Sequence, residues 1–238
     1  WLVAARARYD RDPDYWDAIA AGYYWNLGVD VADGGGDRHA IASWSGRSVL
    51  YAIESFIPKA DLEDTIRLAD ITGRKIKSLG TAQAAVDNTG VGSGTLGALR
   101  RGGYLASPCM FGAGATDTPE DGTKYKNLKT QLFWELRESL QRGEVAIAPL
   151  GELEDQLFEE LAAHQFEVDA ADVTYLLPKA QVKKKLGRSP DLADATVIGR
   201  SLGLINKRVE LPKDPEWWEL DVENKLSELD RLSQILGV

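Results

Sequence analysis

The sequence is poor in the residues that thiol and soft-metal chemistry use. Its 238 residues include one cysteine, Cys109, and two histidines, His39 and His164. One cysteine excludes an internal disulfide and fits a reducing compartment. Two histidines beside it cannot complete a zinc site of the usual Cys/His kind, so any metal would be held by oxygen. No run approaches the ~20 apolar residues of a membrane span, and no basic segment leading into an apolar stretch marks a secretion signal. The G-x-x-x-x-G-K-[ST] phosphate loop is missing, which excludes a P-loop ATPase within this chain. Bases are in deficit: 28 Lys and Arg face 37 Asp and Glu, a net charge of −9. That excludes a simple basic coat that binds nucleic acid by neutralising phosphates. Acyl-transfer catalysis lacks its parts too, since no nucleophile elbow is present and both histidines read as structural.

The remaining composition, 44% hydrophobic and 27% charged, is that of a globular chain long enough to bury a core. A polar lead-in with a short helix opening at Asp12-Pro13-Asp14 comes first. Apolar alternation then predicts three strands at 25–31, 39–44 and 48–56, an antiparallel meander. Helix-period and strand-like segments follow: helix 58–72, with Leu62, Ile66 and Ala69 on its apolar face, strand 82–86, helix 92–101 and strand 105–110. After a loop over 111–125 come helix 127–142, strand 145–148, helix 152–165, strand 173–177 and helix 190–204. The order predicts an α/β fold, a mixed central sheet with helices on its faces. Three parts are expected: a lead-in over 1–27, a main domain over 28–208, and an acidic tail over 209–238 with one narrow-striped amphipathic helix.

A few acids fall where acids are not expected. Asp30 sits in Gly28-Val29-Asp30-Val31-Ala32, flanked by valines inside a strand. Asp is depleted in strands, and burying it unpaired costs several kcal/mol or shifts its pKa. Asp87 ends the next buried strand and opens Asp87-Asn88-Thr89-Gly90-Val91-Gly92-Ser93-Gly94. Asp191 and Asp194 lie three apart at a helix start, in Arg188-Ser189-Pro190-Asp191-Leu192-Ala193-Asp194-Ala195, so both carboxylates can face one side of a turn. Alone, Asp87 also fits a turn or helix cap, Asp191 a complement to the helix dipole, and Asp33 and Asp37 the glycine turn between them. Converging carboxylates repel one another unless a cation joins them. Mg²⁺ and Mn²⁺ take such oxygens and keep other positions for water or phosphate. Two of them ~3.5–4 Å apart can activate a water and stabilise a leaving oxygen in phosphodiester cleavage.

These three motifs, with Gly35-Gly36-Asp37 after the first, resemble the C-terminal nuclease domain of tailed-bacteriophage terminase large subunits, in the same order and over roughly Leu27 to Leu204. The resemblance implies an RNase H-like fold of the resolvase-type branch and a Mg²⁺- or Mn²⁺-dependent endonuclease that cuts concatemeric double-stranded viral DNA during packaging. It implies Asp30 and Asp87 as metal ligands, Asp191 or Asp194 as the third, with Asp191 slightly ahead, and Asp37 as a further one. Asp30 would bridge two ions, with Asp87 on one and Asp191 or Asp194 on the other. It also implies a packaging ATPase preceding this domain, a portal and a small terminase subunit as partners, and a viral protein of the host cytoplasm, neither secreted nor membrane-bound. Lys183, Lys184, Lys185 and Arg188 lead into the third motif and are expected to contact DNA phosphates, which positions DNA without reading its sequence. Two other readings compete. The first glycine-rich loop also looks like that of ATP-dependent sugar or acetate kinases and actin-like ATPases, and the apolar tail helix fits a non-catalytic docking module.

Overall fold

The computed structural model describes residues 1–32, 37–59, 64–80, 82–116 and 122–205; the acidic tail lies outside the described residues. Helices α1 (Leu2–Arg11) and α2 (Pro13–Ala21) come first, joined at Asp12, whose carboxylate accepts the Tyr15 N–H at 3.0 Å to cap α2. Both pack onto the body. Ala5 is fully buried, and Arg8 reaches 2.8 Å to the Val145 carbonyl oxygen.

The meander expected from the sequence forms. β1 (Trp25–Asp30) pairs antiparallel with β2 (His39–Ser45), which pairs antiparallel with β3 (Val49–Phe56). Helix α3 spans Asp64–Leu79, so it extends seven residues past the expected end. Its buried face is Leu68, Ala69, Thr72, Gly73 and Ile76, whereas Ile66 is 48% exposed. Ala69 is buried as expected and Leu62 lies outside the described residues, so Ile66 is the departure, on a face completed by small and polar residues.

β4 (Ala82–Asp87), α4 (Gly92–Arg101), β5 (Ala106–Cys109) and the short β6 (Lys124–Tyr125) follow. Next come α5 (Leu128–Arg142), β7 (Ala146–Ile147), a 3-10 turn at Gly151–Leu153 and α6 (Glu154–Ala163). Strands β8 (Phe166–Val168) and β9 (Val173–Leu176) and helices α7 (Lys179–Leu186) and α8 (Asp191–Ile205) complete the described chain. The main sheet has the order β5-β4-β1-β2-β3-β7, with β4 parallel to β1, while β6, β9 and β8 form a small second sheet. Helix α1, where a polar lead-in is expected, and β6, β8 and α7 are additions to the sequence reading. The last three are short, and α7 buries only Val182. Among the described residues no helix is long and apolar enough to cross a membrane.

Alternation along the sheet sorts the core into two layers. Leu27, Val29, Val31 and Val86 pack against α3 and α4. Ala40, Ala42, Trp44 and Ala85 face the other way, onto α5 and α8. α8 lies in the middle of that second layer, on β1 and β2 on one side and α5 and α6 on the other, so its residues 191–202 are buried all round rather than along a stripe. Its polar residues are satisfied locally: Thr196 Oγ1 donates to Leu192 O at 2.7 Å and Ser201 Oγ to Ile198 O at 2.6 Å.

The approach of α8 to the sheet is unusually close. A Cβ on Gly28 would overlap the Ala195 carbonyl oxygen and the Gly199 amide. A Cβ on Gly199 would come 2.7 Å from the Trp44 ring. The Trp44 indole N–H closes this contact by donating to Thr196 O at 2.9 Å. Gly28 is thus required by backbone contact, and that contact brings the first turn of α8 to the end of β1.

Candidate metal centre

Parallel register pairs Val29 with Val86, so Asp30 and Asp87 stand side by side at the ends of neighbouring strands. Both follow Gly28 and Ala85 by two residues and share their face of the sheet, the face that α8 covers. Asp30 is 5% exposed. Among the described residues its carboxylate forms no direct hydrogen bond or ion pair, and Lys179 is the cation that acts on it; the buried oxygen of the cluster left without a hydrogen bond is Oδ1 of Asp194, which meets the Lys129 ammonium as an ion pair. Burial pushes its pKa well up, with repulsion from Asp194, then Asp191 and Asp87, adding to the effect and Lys179 opposing it. The three motifs therefore converge electrostatically, and Asp194 is the carboxylate that Asp30 feels most.

Asp194 is 1% exposed. Its Oδ1 lies 2.6 Å from Lys129 Nζ and its Oδ2 3.0 Å from Lys179 Nζ. Burial would raise its pKa, but Lys129 and Lys179, with His164 behind them, hold it below the usual carboxylate range. Asp191, 6% exposed, accepts the Arg38 backbone N–H at 2.8 Å through Oδ2. Asp87 accepts the Thr89 N–H at 2.9 Å in a tight turn. Asp37 is drawn away from this group, to Lys183 Nζ at 2.7 Å. Of the expected DNA contacts, Arg188 pairs with Glu159 at 2.5 Å and lies 3.4 Å from Glu160, while Lys184 and Lys185 are exposed on α7.

The donor set fits a hard divalent cation: carboxylate oxygens alone, one of them buried without a partner. As the side chains stand, no three carboxylate, histidine or cysteine groups among the described residues are close enough to hold an ion together. Two lysines occupy both oxygens of Asp194 in this arrangement.

Sequence reasoning missed the residues that fix these positions, because each acts across the fold. Glu160, fully buried on α6, accepts the Leu192 and Ala193 N–H groups at 2.9 and 3.1 Å. It satisfies the exposed donors of the α8 N-terminus from another helix. Lys129 and Lys179 are 65 and 15 residues from Asp194. The histidines are structural, as expected. His39 accepts the Ala32 N–H at Nδ1 (3.0 Å), so its Nε2 carries the proton and donates to Asp64 at 2.6 Å; this pins the chain just after Asp30. His164 donates Nδ1–H to Glu160 O at 2.8 Å and stacks on Phe133 with ring centres 4.1 Å apart. Cys109 is buried with its thiol pushed up to about 12, so it is no nucleophile.

His164 carries a pH prediction. Burial lowers its pKa from 6.5 to about 4. The unfolded chain binds a proton that the native chain refuses, so this stability is fully present above about pH 6.5 and is lost as pH falls toward 4. We expect melting temperatures measured from pH 7.5 to 4 to fall by more in the wild type than in His164→Phe, which keeps the stack. The difference at pH 4 corresponds to about 3 kcal/mol; parallel profiles would show that His164 is not the group responsible.

Solved structures match the fold. The nuclease domain of the large terminase subunit gp2 of bacterial virus Sf6 matches with a TM-score of 0.68 at 22% identity, covering 84% of this chain and 95% of that one. A variant of that domain with manganese and beta-thujaplicinol matches at 0.67 and 22% identity, with the same coverage. The large terminase nuclease from thermophilic phage G20c with bound cobalt matches at 0.51 and 15% identity, covering 76% and 82%. No protein-family model matches the chain, and no curated protein matches it in sequence. At these identities the likeness is one of fold: the chain has the RNase H-like fold of large-terminase nuclease domains.

Proposed function

We propose that this domain is a divalent-metal-dependent endonuclease of a phage genome-packaging terminase, acting on double-stranded DNA. The observation that carries the reading is Asp30, a buried carboxylate without a partner at the strand end where Asp87 and the first turn of α8 meet. Lys179 only partly offsets the cost of burying such a group, and a divalent cation would offset more of it. Asp30, Asp87 and Asp194 would hold the ions, with Mg²⁺ or Mn²⁺ as the candidates. Asp194 stands ahead of Asp191 as third ligand because it faces Asp30 more strongly and because Asp191 is engaged by the Arg38 backbone. Asp37 lies lower, since it pairs with Lys183 and is not among the carboxylates that act on Asp30. Bound there, a pair of ions supplies Lewis acidity, activating a water and stabilising the departing 3′ oxygen. The chain's own part is to fix the carboxylates: Gly28 and Glu160 set the position of α8, and His39 sets the chain after β1. The packaging ATPase, portal and small subunit are partners proposed on the same ground.

The deciding experiment incubates supercoiled plasmid with the protein and Mn²⁺ or Mg²⁺. Cation-dependent nicking and linearisation, stopped by EDTA, is the expected result. Absence of cutting with every divalent ion, together with thermal stabilisation by ATP, would turn the reading toward an ATP-dependent kinase. For DNA, Lys184 and Lys185 are the exposed bases beside the site. Changing both to Ala is expected to weaken duplex binding and reduce the slope of log affinity against log salt by up to about 2. An unchanged slope in a salt titration would remove them from the DNA path.

A further inference from the structure

Lys129 is the second residue of α5. Helix N-termini favour anions, because unpaired N–H groups and aligned peptide dipoles present positive charge there. A lysine with only 17% of its side chain exposed gains nothing from that end of its own helix. Its partners come from elsewhere in the fold. The ammonium lies 2.6 Å from Asp194 Oδ1, 4.6 Å from the centre of the Phe111 ring and 5.6 Å from that of Phe133. The rings belong to different segments. Phe111 opens the loop after β5, and its carbonyl oxygen accepts the Lys129 N–H at 3.2 Å. Phe133 is one turn further along α5 and is itself stacked on His164. A partly desolvated cation over aromatic faces is well held. Lys179 hydrogen-bonds the other oxygen, Oδ2, at 3.0 Å from a more open position. Its side chain is 42% exposed, and among the described residues no aromatic ring lies under its ammonium.

We propose that Lys129 is a positioning residue of the carboxylate cluster: clamped by Phe111 and Phe133, it keeps Asp194 Oδ1 and, with Lys179 on Oδ2, fixes the orientation in which the carboxylate faces a divalent-cation site. The inference rests on the metal-dependent reading of the site. One charge then has two opposed effects. A fixed positive charge beside a cation site repels the cation, strongly in a buried setting of low dielectric. The same charge holds Asp194 in a single orientation, and reacting geometry tolerates misplacement of only about 0.5 Å. Removing it therefore tightens cation binding and slows cutting. A lysine that only supported the fold would not separate the two.

The test is a calorimetric Mn²⁺ titration of the full chain and of Lys129→Met and Lys129→Arg, with plasmid cutting at saturating Mn²⁺. Lys129→Met keeps the aliphatic stem and loses the charge. It is expected to bind Mn²⁺ about tenfold more tightly and to cut at least about tenfold more slowly. Its melting temperature should rise more on adding Mn²⁺ than that of the wild type. Lys129→Arg keeps the charge and should bind Mn²⁺ as the wild type does. Lys129→Met binding at or below wild-type affinity overturns the proposal. Should that variant not fold, Phe111→Leu, which loosens the clamp and leaves the charge, must cut more slowly at unchanged Mn²⁺ affinity; an unchanged rate overturns the proposal equally. A wild type that takes up no Mn²⁺ brings down the metal-dependent reading itself. A wild type that binds and cuts, beside a Lys129→Met that binds no tighter, brings down only the role of Lys129.

Discussion

Asp30→Asn leaves the protein folded, raises its melting temperature without metal, and removes cation-dependent cutting. The first two effects follow from burial. The Asp30 carboxyl is pushed well above the usual carboxylate range by desolvation first and by Asp194 next. A group whose native pKa lies above its unfolded value, about 4, helps stability only below that unfolded value. Its contribution is lost as pH rises through the native pKa. At pH 7 the metal-free protein therefore carries this cost and the amide does not, and melting at pH 7 in EDTA should show the variant higher by roughly 2–4 °C for each 1 kcal/mol regained. The third effect follows from chemistry. An amide is a neutral and poorer donor, and loss of even an outer-shell partner typically costs about 10–100-fold in metal affinity or activity. Loss of the central ligand should exceed that range in a plasmid-cutting assay. A variant that melts lower and cuts at the wild-type rate would show that Asp30 is an ordinary structural acid.

Gly28→Ala is expected to produce a large loss of stability for a single methyl group. Overpacking a core usually costs about 1–3 kcal/mol, because side chains can shift aside. Here the added carbon would overlap backbone atoms of Ala195 and Gly199, and α8 cannot move without breaking the Trp44–Thr196 hydrogen bond. We place the cost at about 3 kcal/mol or more, a fall of roughly 6–12 °C in melting temperature. Mn²⁺ binding should weaken with it, since α8 carries Asp191 and Asp194. A melting temperature within a degree of the wild type would show that the helix is free to move off the sheet.

Both positions lie in motifs visible in the sequence, yet they were legible to different degrees. Asp30 stood out because an acid between two valines has no bland explanation. Gly28 read only as part of a motif, because its reason is a helix some 170 residues further on. The meander and the alternating helices and strands followed from local periodicity. α7 did not, since Val182 is its single buried residue and burial leaves the pattern that periodicity detects. Asp191 and Asp194 were indistinguishable by spacing. The fold separates them, because the first faces the Arg38 backbone and the second faces Asp30 and two lysines. Lys129, Lys179 and Glu160 carried no local signal, as their partners are supplied by tertiary contact.

The acidic surplus of the sequence gains a physical meaning in the same way. Of the net −9, five units fall in 209–238, outside the described residues. The acids of the cluster are few, and two lysines already offset part of their charge. On the proposed reading, an acidic protein would meet DNA at a place where cations, rather than lysines alone, supply the positive charge.

The most direct test of that claim is a crystal grown with Mn²⁺ and measured at the manganese absorption edge. The account predicts anomalous density between the carboxylates of Asp30, Asp87 and Asp194, with Lys179 withdrawn from Asp194. Crystals at saturating Mn²⁺ with no anomalous density at Asp30, or with density only at surface acids, would contradict it.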